Sequence, residues 1–386
     1  MSAPVVIVGS GLAGYNLARE FRKLDTQTPL LLITADDGRS YSKPMLSTGF
    51  SRNKSAAELC QAEAGQMAEQ LQARIWTHTR VEAVDPASRS LQVAGERLVY
   101  RDLVLACGAE PRRPPLAGDA AERVLPVNDL EDYARLREAA DGCRRILILG
   151  AGLVGCELAN DLALAGFQVQ MVAPCAQLMP GLLPAPLAQA LQDALQALGV
   201  GICLNAQVQT LQHQAQGYRA GLDNGQSLDC DLVISAVGLA PRTRLATQAG
   251  LQVGRAIRVD RWLRTSAPGI HALGDCAEVE GLNLLYVMPL MQCARALAAS
   301  LAGTPTAVSY GPMPITLKTP ACPLVLATPP AGALGEWRFE GAAPDIRGEF
   351  RGAGGELLGY ALAGARVADR MVMNRDLPAL LPSVVA

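Results

Sequence analysis

Short apolar runs alternate with helical patterns of polar and apolar residues along most of the chain. Residues 5–8 are an apolar run that ends in glycines, residues 15–25 carry a helical pattern, and residues 30–34 form a second apolar run. This order predicts a βαβ unit with a glycine-rich turn after its first strand. A similar order returns later in the chain, which favours an α/β fold with parallel sheets.

The first turn holds glycines at a spacing that is typical of dinucleotide sites. Gly9 permits the tight turn out of the strand, Gly11 lets backbone N–H groups approach a pyrophosphate, and Gly14 lets the next helix pack closely. The phosphates would lie at the N-terminus of that helix. A single glycine triplet also fits an ordinary strand–turn–helix, so this turn alone leaves both interpretations open.

The glycine pattern recurs at Gly150, Gly152 and Gly155, again after an apolar strand and before a helical pattern. Two copies predict two dinucleotide domains, an arrangement that suits hydride exchange between a nicotinamide and a flavin. The strand after the second copy ends at Ala173 and runs into the uncharged residues 174–177. We expect NADH as the nicotinamide, because nothing basic is present there to bind the 2′-phosphate of NADPH.

The strand after the first copy ends at Thr34, where an acid usually binds the adenosine ribose. We expect Thr34 and Ala35 to line the ribose through hydroxyl and backbone contacts, with Asp36 as the candidate acid. The alternative for residues 36–38 is a plain turn. The sequence leaves both interpretations of Asp36 open.

Residues 103–111 and 232–241 share a pattern in which an apolar strand ends in small residues and a proline. Such an end lets the backbone come close to a ligand and then leave the domain. Cys107 and Gly108 are therefore expected at the cofactor. The chain would leave the first domain near Gly108 and return near Gly238, so the second domain is an insertion.

We therefore predict an α/β fold with two Rossmann-like dinucleotide-binding domains, the NAD domain inserted in the FAD domain, plus a small C-terminal α+β domain. The predicted boundaries are 1–108 and 239–318 for the FAD domain, 109–238 for the NAD domain and 319–386 for the C-terminal domain. Further helices are predicted at residues 55–73, 129–140, 184–198, 291–301 and 366–377, and further strands at 75–84 and 91–99.

A third landmark lies at residues 270–275, where an apolar strand delivers Asp275 to a strand end. There its carboxylate could accept hydrogen bonds from sugar-alcohol hydroxyls, and the alternative is a helix N-cap. His271 is expected to be a core histidine whose ring nitrogens are satisfied. The helix at 291–301 could aim its N-terminal dipole at a flavin that becomes anionic on reduction.

Composition narrows the class of protein. At roughly 150 residues per domain, 386 residues predict two or three domains. A net charge of −2 makes no case for nucleic acid, and the chain has no apolar run of about 18 residues to span a membrane. Residues 1–4 lead directly into the first strand without a signal peptide, so we expect a cytoplasmic protein. The 10 cysteines form no C-x-x-C pair, which argues against a redox dithiol, a zinc site or an iron–sulfur site.

Basic residues cluster in the loop after the second strand. They are Arg39, Lys43, Arg52 and Lys54. Some could face a flavin or its phosphates, and others could attract an acidic partner, together with Arg112 and Arg113. A merely solvated basic loop is the alternative.

The two glycine turns and the strand end at Asp275 resemble the two-dinucleotide flavoprotein reductases of the glutathione-reductase-like fold over nearly the whole chain. Within that group, residues 41–47 and 315–320 are similar to the rubredoxin reductases, bacterial flavoenzymes that pass electrons from NADH to rubredoxin for alkane hydroxylation. The resemblance implies FAD and NADH as cofactors and rubredoxin, an acidic one-electron carrier, as the partner. No side chain need act as an acid or base in such a transfer.

The resemblance also implies site residues. It places FAD on Gly9, Ser10, Gly11, Leu12, Ala13, Gly14, Thr34, Ala35, Lys43, Val81, Asp275, Val287 and Lys318, and NADH on Gly150, Gly152 and Gly155. Glu157 would lie where flavin and nicotinamide meet, and Lys43 and Lys318 would hold the flavin and favour its reduced, anionic form. Three residues depart from the wider fold: Thr34 and Ala173 where acids are usual, and Cys107 where threonine is usual.

Other functions remain open at this stage. The same two-domain arrangement could serve an NADH-dependent ferredoxin or flavorubredoxin reductase. A flavin disulfide reductase is disfavoured because a redox cysteine pair is missing, and a non-enzymatic flavin sensor is disfavoured by the second dinucleotide site. The C-terminal region is short for the dimerisation domain of disulfide reductases, so a monomer is expected.

Overall fold

The computed structural model describes residues 3–384. Residues 1–2 and 385–386 lie outside the described residues, and with them half of residues 1–4, which were expected to lead into the first strand. Within residues 3–384, no helix is both long enough and apolar enough to cross a membrane.

The first domain is built on five parallel strands. Their spatial order is Ile270–Ala272, Asp102–Leu105, Val5–Val8, Leu30–Ile33 and Arg74–Trp76. Val5–Val8 and Leu30–Ile33 are buried along their whole length, because helices and loops cover both faces of a parallel sheet. The first glycine helix, Leu12–Leu24, packs against the long helix Val287–Leu301. The predicted βαβ unit is confirmed.

The second domain repeats this architecture. Its parallel strands run in the order Leu125–Pro126, Leu232–Ser235, Arg145–Leu149, Gln168–Ala173 and Gly201–Leu204. Its helices are Leu130–Ala139, the second glycine helix Leu153–Leu164 and Ala185–Ala197. A three-stranded antiparallel sheet adds Val208–His213, Tyr218–Leu222 and Ser227–Cys230.

The two connections between these domains lie side by side. Ala109–Pro111 leaves the first domain, Leu239–Pro241 returns to it, and the two segments pair as antiparallel strands. Ile270–Ala272 then adds to the first sheet beside Asp102–Leu105. The first domain is therefore formed by two chain segments, one before and one after the second domain. The predicted insertion is confirmed as a feature of the fold.

Two predicted elements of the first domain were wrong as continuous pieces. Residues 55–73 form two helices, Ala56–Leu59 and Ala64–Leu71, separated by the strand Cys60–Ala62. Ser55 and Glu63 each make a capping box, so the helix ends and begins again. Residues 75–84 are divided because His78 adopts a left-handed conformation (φ 49°) between the strands Arg74–Trp76 and Val81–Asp85.

The remaining elements of the first domain are short. Val81–Asp85, Ser90–Val93 and Glu96–Val99 form a three-stranded antiparallel sheet. The last two strands replace the single strand expected at 91–99. Ser40–Tyr41 pairs with Cys60–Ala62, and Ile257–Val259 pairs with Ala277–Val279. Short 3₁₀ segments occupy Lys43–Thr48 and Gly274–Cys276, and Arg244–Gln248 is a short α-helix. A further 3₁₀ turn, Ala121–Arg123, belongs to the second domain.

The C-terminal region is a five-stranded antiparallel sheet. Its strand order is Ile315–Leu317, Leu324–Ala327, Leu357–Ala363, Asp345–Gly352 and Gly335–Ala342. This sheet begins before the boundary predicted at residue 319. The helix predicted at 366–377 is a 3₁₀ turn, Gly364–Asp369, followed by the helix Arg370–Asp376. The helix predicted at 291–301 begins earlier, at Val287, since Pro289 is tolerated in a first turn.

One buried apolar cluster crosses all three parts of the chain. It includes Leu46 and Phe50 of the first domain, Leu158 of the second glycine helix, and Ile315 and Leu324 of the C-terminal sheet. The three parts therefore meet as packed cores rather than as loosely tethered units.

Candidate active site

The first glycine turn is shaped by close backbone contacts. Gly9 has φ 116°, and a Cβ there would overlap the carbonyl oxygen of Ala106. A Cβ on Gly14 would overlap the carbonyl oxygen of Gly9. A Cβ on Gly11, in contrast, would meet nothing within 4 Å. Two glycines are thus required by the fold, and the third faces open space.

The open space lies at the start of the first glycine helix. Gly11 is its N-cap residue, and no side chain caps the helix there. The first N–H groups of a helix have no partner within the helix, and the helix dipole makes this end positive. The turn therefore fits a pyrophosphate, which would take these N–H groups as donors.

The second glycine turn repeats this geometry. A Cβ on Gly150 would overlap the carbonyl oxygen of Ala236, and one on Gly155 would overlap that of Gly150. Gly152 again faces open space at the N-cap of the second glycine helix. The chain thus carries two phosphate cradles of one design, on two separate parallel sheets.

Polar side chains link the first turn to the end of the neighbouring strand. Ser10 Oγ donates to Thr34 Oγ1 at 2.9 Å, and Thr34 Oγ1 donates to Asp36 Oδ1 at 2.6 Å. The backbone N–H of Gly38 also donates to Asp36 Oδ1, at 3.0 Å. Asp36 therefore closes a turn, as one interpretation expected, and both Asp36 and Ala35 are exposed at this strand end. The contact of Asp36 with a ribose stays a prediction.

The sequence did not single out two residues that line a cavity beside the first turn. Tyr15 and Arg19 lie one helical turn apart and face this cavity together with Ser10, Gly11 and Arg39. The Tyr15 hydroxyl donates to the carbonyl of Gly38, and burial raises the pKa of Tyr15, with Asp36 adding to the effect. Their spacing of four residues on the first glycine helix was the available signal.

Asp275 lies where the two long helices of the first domain begin. A Cβ on Gly274 would lie 2.8 Å from Ala13 Cβ and 3.7 Å from Leu290 Cδ1, so this turn touches both helices. Asp275 is inside a 3₁₀ turn and not at its N-cap, so the capping alternative was wrong. Its Oδ2 is 3.6 Å from Lys43 Nζ. The structure thus pairs two residues that the sequence assigned to the flavin separately.

Glu157 joins all three parts of the chain. Its side chain is 1% exposed and accepts a hydrogen bond from Ser47 Oγ at 2.6 Å. Its Oε1 accepts the backbone N–H of residue 318 at 2.9 Å, and its Oε2 forms an ion pair with Lys318 Nζ. Lys318 Nζ also donates to Ser47 Oγ at 3.1 Å. Glu157 and Lys318, which the resemblance assigned to the flavin separately, therefore form one network with Ser47 as its third member.

The other candidate residues of the first domain lie on several different elements. Cys107 and Gly108 follow the strand next to Gly9, and Cys107 Sγ lies 3.9 Å from the carbonyl oxygen of Val8. Burial raises the pKa of Cys107 to about 11, so its thiol stays neutral. Val81 is buried at the start of a strand, and Val287 is exposed at the start of its helix. Within residues 3–384, no group of three or more His, Cys, Asp or Glu side chains is placed to hold a metal ion.

Two further positions singled out in the sequence, His271 and Ala173, lie outside the cradles. His271 is buried with Nε2 3.7 Å from Asp102 Oδ1, so its place in the core is confirmed. The prediction that it is satisfied was wrong for Nδ1, which is buried without a hydrogen-bond partner among residues 3–384. Ala173, where an acid is usual in this kind of fold, is buried at the end of its strand. Residues 173–177, which the structure describes, thus place no charged side chain on that strand end.

The basic residues do not form one uncompensated surface. Arg39 pairs with Asp37 at 2.7 Å, Lys54 with Glu58 at 3.1 Å, and Arg113 with Glu122 at 3.1 Å. Arg112 donates to the carbonyl of Leu239 at 3.2 Å, on the paired interdomain strands. Three of the cations in the proposed docking patch are thus already paired with neighbouring carboxylates, which weakens the hypothesis of one basic surface.

Comparison with known families settles the class of protein. Residues 3–299 match the model of the pyridine nucleotide-disulphide oxidoreductases, and residues 307–377 match a rubredoxin binding C-terminal domain. The chain belongs to the pyridine nucleotide-disulphide oxidoreductase family. The predicted fold class and the prediction of an oxidoreductase are confirmed.

Individual members of the family are similar over their whole length. This oxidoreductase is 48% identical to the rubredoxin-NAD(+) reductase of Alcanivorax borkumensis, over 98% of its own chain and 100% of the relative. It is 40% identical to that of Acinetobacter baylyi, over 98% and 99%. It is 39% identical to the nitric oxide reductase FlRd-NAD(+) reductase of Aeromonas salmonicida, over 98% and 97%. The resemblance to rubredoxin reductases is confirmed.

A solved structure supports the fold. The ferredoxin reductase for the CYP199A2 system from Rhodopseudomonas palustris superposes with a TM-score of 0.88 at 24% identity, over 98% of this chain and 96% of that one. At this level of identity the similarity concerns the fold alone.

Proposed function

We propose that this enzyme transfers hydride from NADH to bound FAD and passes the electrons one at a time to rubredoxin. The observation that carries the proposal is the combination of two phosphate cradles with a C-terminal region that matches a rubredoxin binding domain. Relatives named rubredoxin-NAD(+) reductase, at 48% and 40% identity, support the same activity. The alkane hydroxylation chain stays a prediction from the resemblance.

The residues present fit both cofactors. The first cradle, with Ser10, Leu12, Ala13 and the Thr34–Asp36 strand end, would hold the diphosphate and ribose of FAD, and Lys43, Val81, Cys107, Gly108, Asp275, Val287 and Lys318 would surround the rest. The second cradle would hold the diphosphate of NADH, and Glu157 would lie between the two. FAD accepts two electrons with a hydride and can release them singly, which suits a one-electron iron centre. The chain's own task is to bind, orient and shield.

Flavorubredoxin is the second candidate for the acceptor. Its support is the set of relatives named nitric oxide reductase FlRd-NAD(+) reductase, at 39% identity in the example above. We place the reaction in the cytoplasm, because all 10 cysteines are free, as is usual in a reducing compartment.

Stopped-flow mixing tests the proposal directly. We expect NADH to bleach the flavin absorbance faster than NADPH, and the reduced enzyme to be reoxidised faster by rubredoxin than by flavorubredoxin or ferredoxin. Faster reoxidation by flavorubredoxin would favour the second candidate. Equal rates with NADPH would contradict the choice of nicotinamide.

The rubredoxin contact is proposed at a cleft between the first domain, the paired interdomain strands and the C-terminal sheet. The cleft has a volume of about 570 Å³, and its apolar walls include Tyr286, Met313 and Pro330. Two exposed arginines, Arg112 and Arg255, line it as well. Apolar walls with a few cations suit a small acidic protein. The part of the chain that matches a rubredoxin binding domain contributes Met313 and Pro330.

Charge reversal at the cleft should slow the second half of the reaction. For Arg112→Glu we expect about a 10-fold slower reoxidation by rubredoxin at low salt, because steering of an acidic partner acts on association, and the difference should shrink as salt is added. Reduction by NADH should be unchanged. The same reversal at Arg113, which is paired with Glu122 and lies outside the cleft, should have a smaller effect. Equal effects of the two variants would argue against the cleft.

A further inference from the structure

A short segment of the first domain is buried in the second. Residues 49–54, here called the anchor segment, follow the helical turn Lys43–Thr48 that carries Lys43 and Ser47. Phe50 of this segment is 4% exposed. Its ring meets Tyr133 edge-on at 5.6 Å and Phe167 at 5.9 Å between centroids, and the Arg137 guanidinium lies 4.7 Å from its centroid. All three contacts come from the second domain.

The anchor segment is also held by its backbone. The N–H of Phe50 donates to Asp161 Oδ2 at 2.8 Å, the N–H of Ser51 donates to Asp161 Oδ1 at 3.2 Å, and the Ser51 hydroxyl donates to Oδ1 as well. The Tyr133 hydroxyl donates to the carbonyl of Lys54 at 2.7 Å. Asp161 is 2% exposed, so the anchor segment supplies the donors that its buried carboxylate needs.

Asp161 shares its helix with the other interdomain contacts. The second glycine helix begins at the Gly152 cradle, and Glu157, one turn before Asp161, binds Ser47 and Lys318. Asn160 Oδ1 accepts the N–H of Ala321 at 3.2 Å, which adds a second contact to the C-terminal region. One rigid helix of 12 residues thus connects the second cradle to the loop that carries Lys43.

This connection bears on the distance between the two cofactors. Hydride transfer requires the reacting atoms to approach within about 3–3.5 Å, and a displacement of about 1 Å lowers such rates about 100-fold. The first cradle and Lys43 belong to one domain and the second cradle to the other. The position of one relative to the other therefore depends on the contacts that join the domains.

We propose that Asp161 is a positioning residue, which fixes the anchor segment on the second glycine helix and so sets the nicotinamide against the flavin. The inference rests on the proposed function, since it concerns the same transfer from NADH to FAD. It assigns a role to Asp161 and Phe50, which contact neither cradle in the structure.

The test compares two buried or part-buried carboxylates. Asp161→Asn should lower the rate of flavin reduction at saturating NADH 10- to 100-fold and weaken the long-wavelength charge-transfer absorbance between nicotinamide and flavin, with FAD content unchanged. Asp231→Asn is the control, because Asp231 also accepts two backbone N–H groups, from Arg144 at 2.9 Å and Arg145 at 2.8 Å, but within one domain. The control should keep the wild-type rate and absorbance.

Calorimetry of the holoenzyme provides a readout that does not depend on turnover. Wild type and Asp231→Asn should unfold in one transition, whereas Asp161→Asn should show two overlapping transitions, because the coupling between its domains is weakened. Ser51→Ala removes one donor only and should lower the reduction rate in the same direction, which keeps the test available if Asp161→Asn does not fold. Wild-type rates and a single transition in both variants would overturn the proposal. A wild-type enzyme that NADH does not reduce would reject the proposed function instead, and the calorimetric comparison would still decide the coupling.

Discussion

Replacing Gly11 by alanine is expected to remove FAD from an otherwise folded protein, whereas replacing Gly14 by valine is expected to prevent the first domain from folding. A Cβ at Gly14 meets the carbonyl oxygen of Gly9, which belongs to the backbone and cannot turn aside. Such overpacking costs about 3 kcal/mol or more. A methyl group on Gly11 meets no protein atom within 4 Å and fills only the cradle. Loss of charge-assisted hydrogen bonds worth about 1.5–3 kcal/mol would lower the affinity for FAD about 10- to 100-fold.

The measurements are the flavin content of the purified variants, circular dichroism, and titration of the FAD-free protein with FAD. Gly152→Ala is the matched control, because it places the same methyl group in the second cradle, where a Cβ also meets nothing within 4 Å. This variant should keep its FAD and show a KM for NADH raised about 10- to 100-fold. Full flavin content in Gly11→Ala, or loss of FAD in Gly152→Ala, would contradict the assignment of the two cradles.

These glycines also explain why so much of the fold could be predicted. The overlap between a Cβ at residue 14 and the carbonyl of residue 9 is a contact within one turn, so the sequence records it locally. The same holds for residues 150 and 155. Because the turn appears twice, and because each of the two strands at 103 and 232 ends in small residues before a proline, the inserted domain could be inferred as well.

Contacts between distant residues could not be predicted in this way. Ser47 and Glu157 are 110 positions apart, and Glu157 and Lys318 are 161 apart, so only the packing of three domains brings them together. Phe50 and Asp161 belong to no motif, and their pairing across 111 positions left no trace in the pattern.

Some local signals were present but were outweighed. The interrupted helix at residues 55–73 was foreshadowed by Ser55 with Glu58 and by Glu63 with Gln66, which form capping boxes, but the apolar periodicity continued across the break. The basic residues of the loop predicted a positively charged surface, although Asp37 lies two residues from Arg39 and pairs with it. A pattern of residue types does not report which charges are already paired.

The network of Glu157 and Lys318 allows structural and redox roles to be separated. Lys318→Met leaves the carboxylate of Glu157, which is 1% exposed, without its counter-ion, and breaking a buried pair in this way costs about 3–5 kcal/mol. Lys318 is 33% exposed, so the lower end of that range is expected. Loss of the ammonium group should also make the flavin potential more negative by tens of millivolts, where about 30 mV corresponds to about 1.4 kcal/mol for two electrons. Thermal unfolding and a redox titration measure the two effects.

The double variant Glu157→Gln with Lys318→Met should recover most of the lost stability, because no buried charge is then left unpaired. It should not recover the flavin potential or the rate of reduction by NADH, since the ammonium group is still absent. Recovery of both would mean that Lys318 acts only by neutralising Glu157. Unchanged flavin content, potential and turnover in Lys318→Met alone would remove Lys318 from the flavin site. A potential that stays low while the stability returns would show that the pair serves two ends: its carboxylate joins the three domains, and its ammonium group favours the reduced flavin.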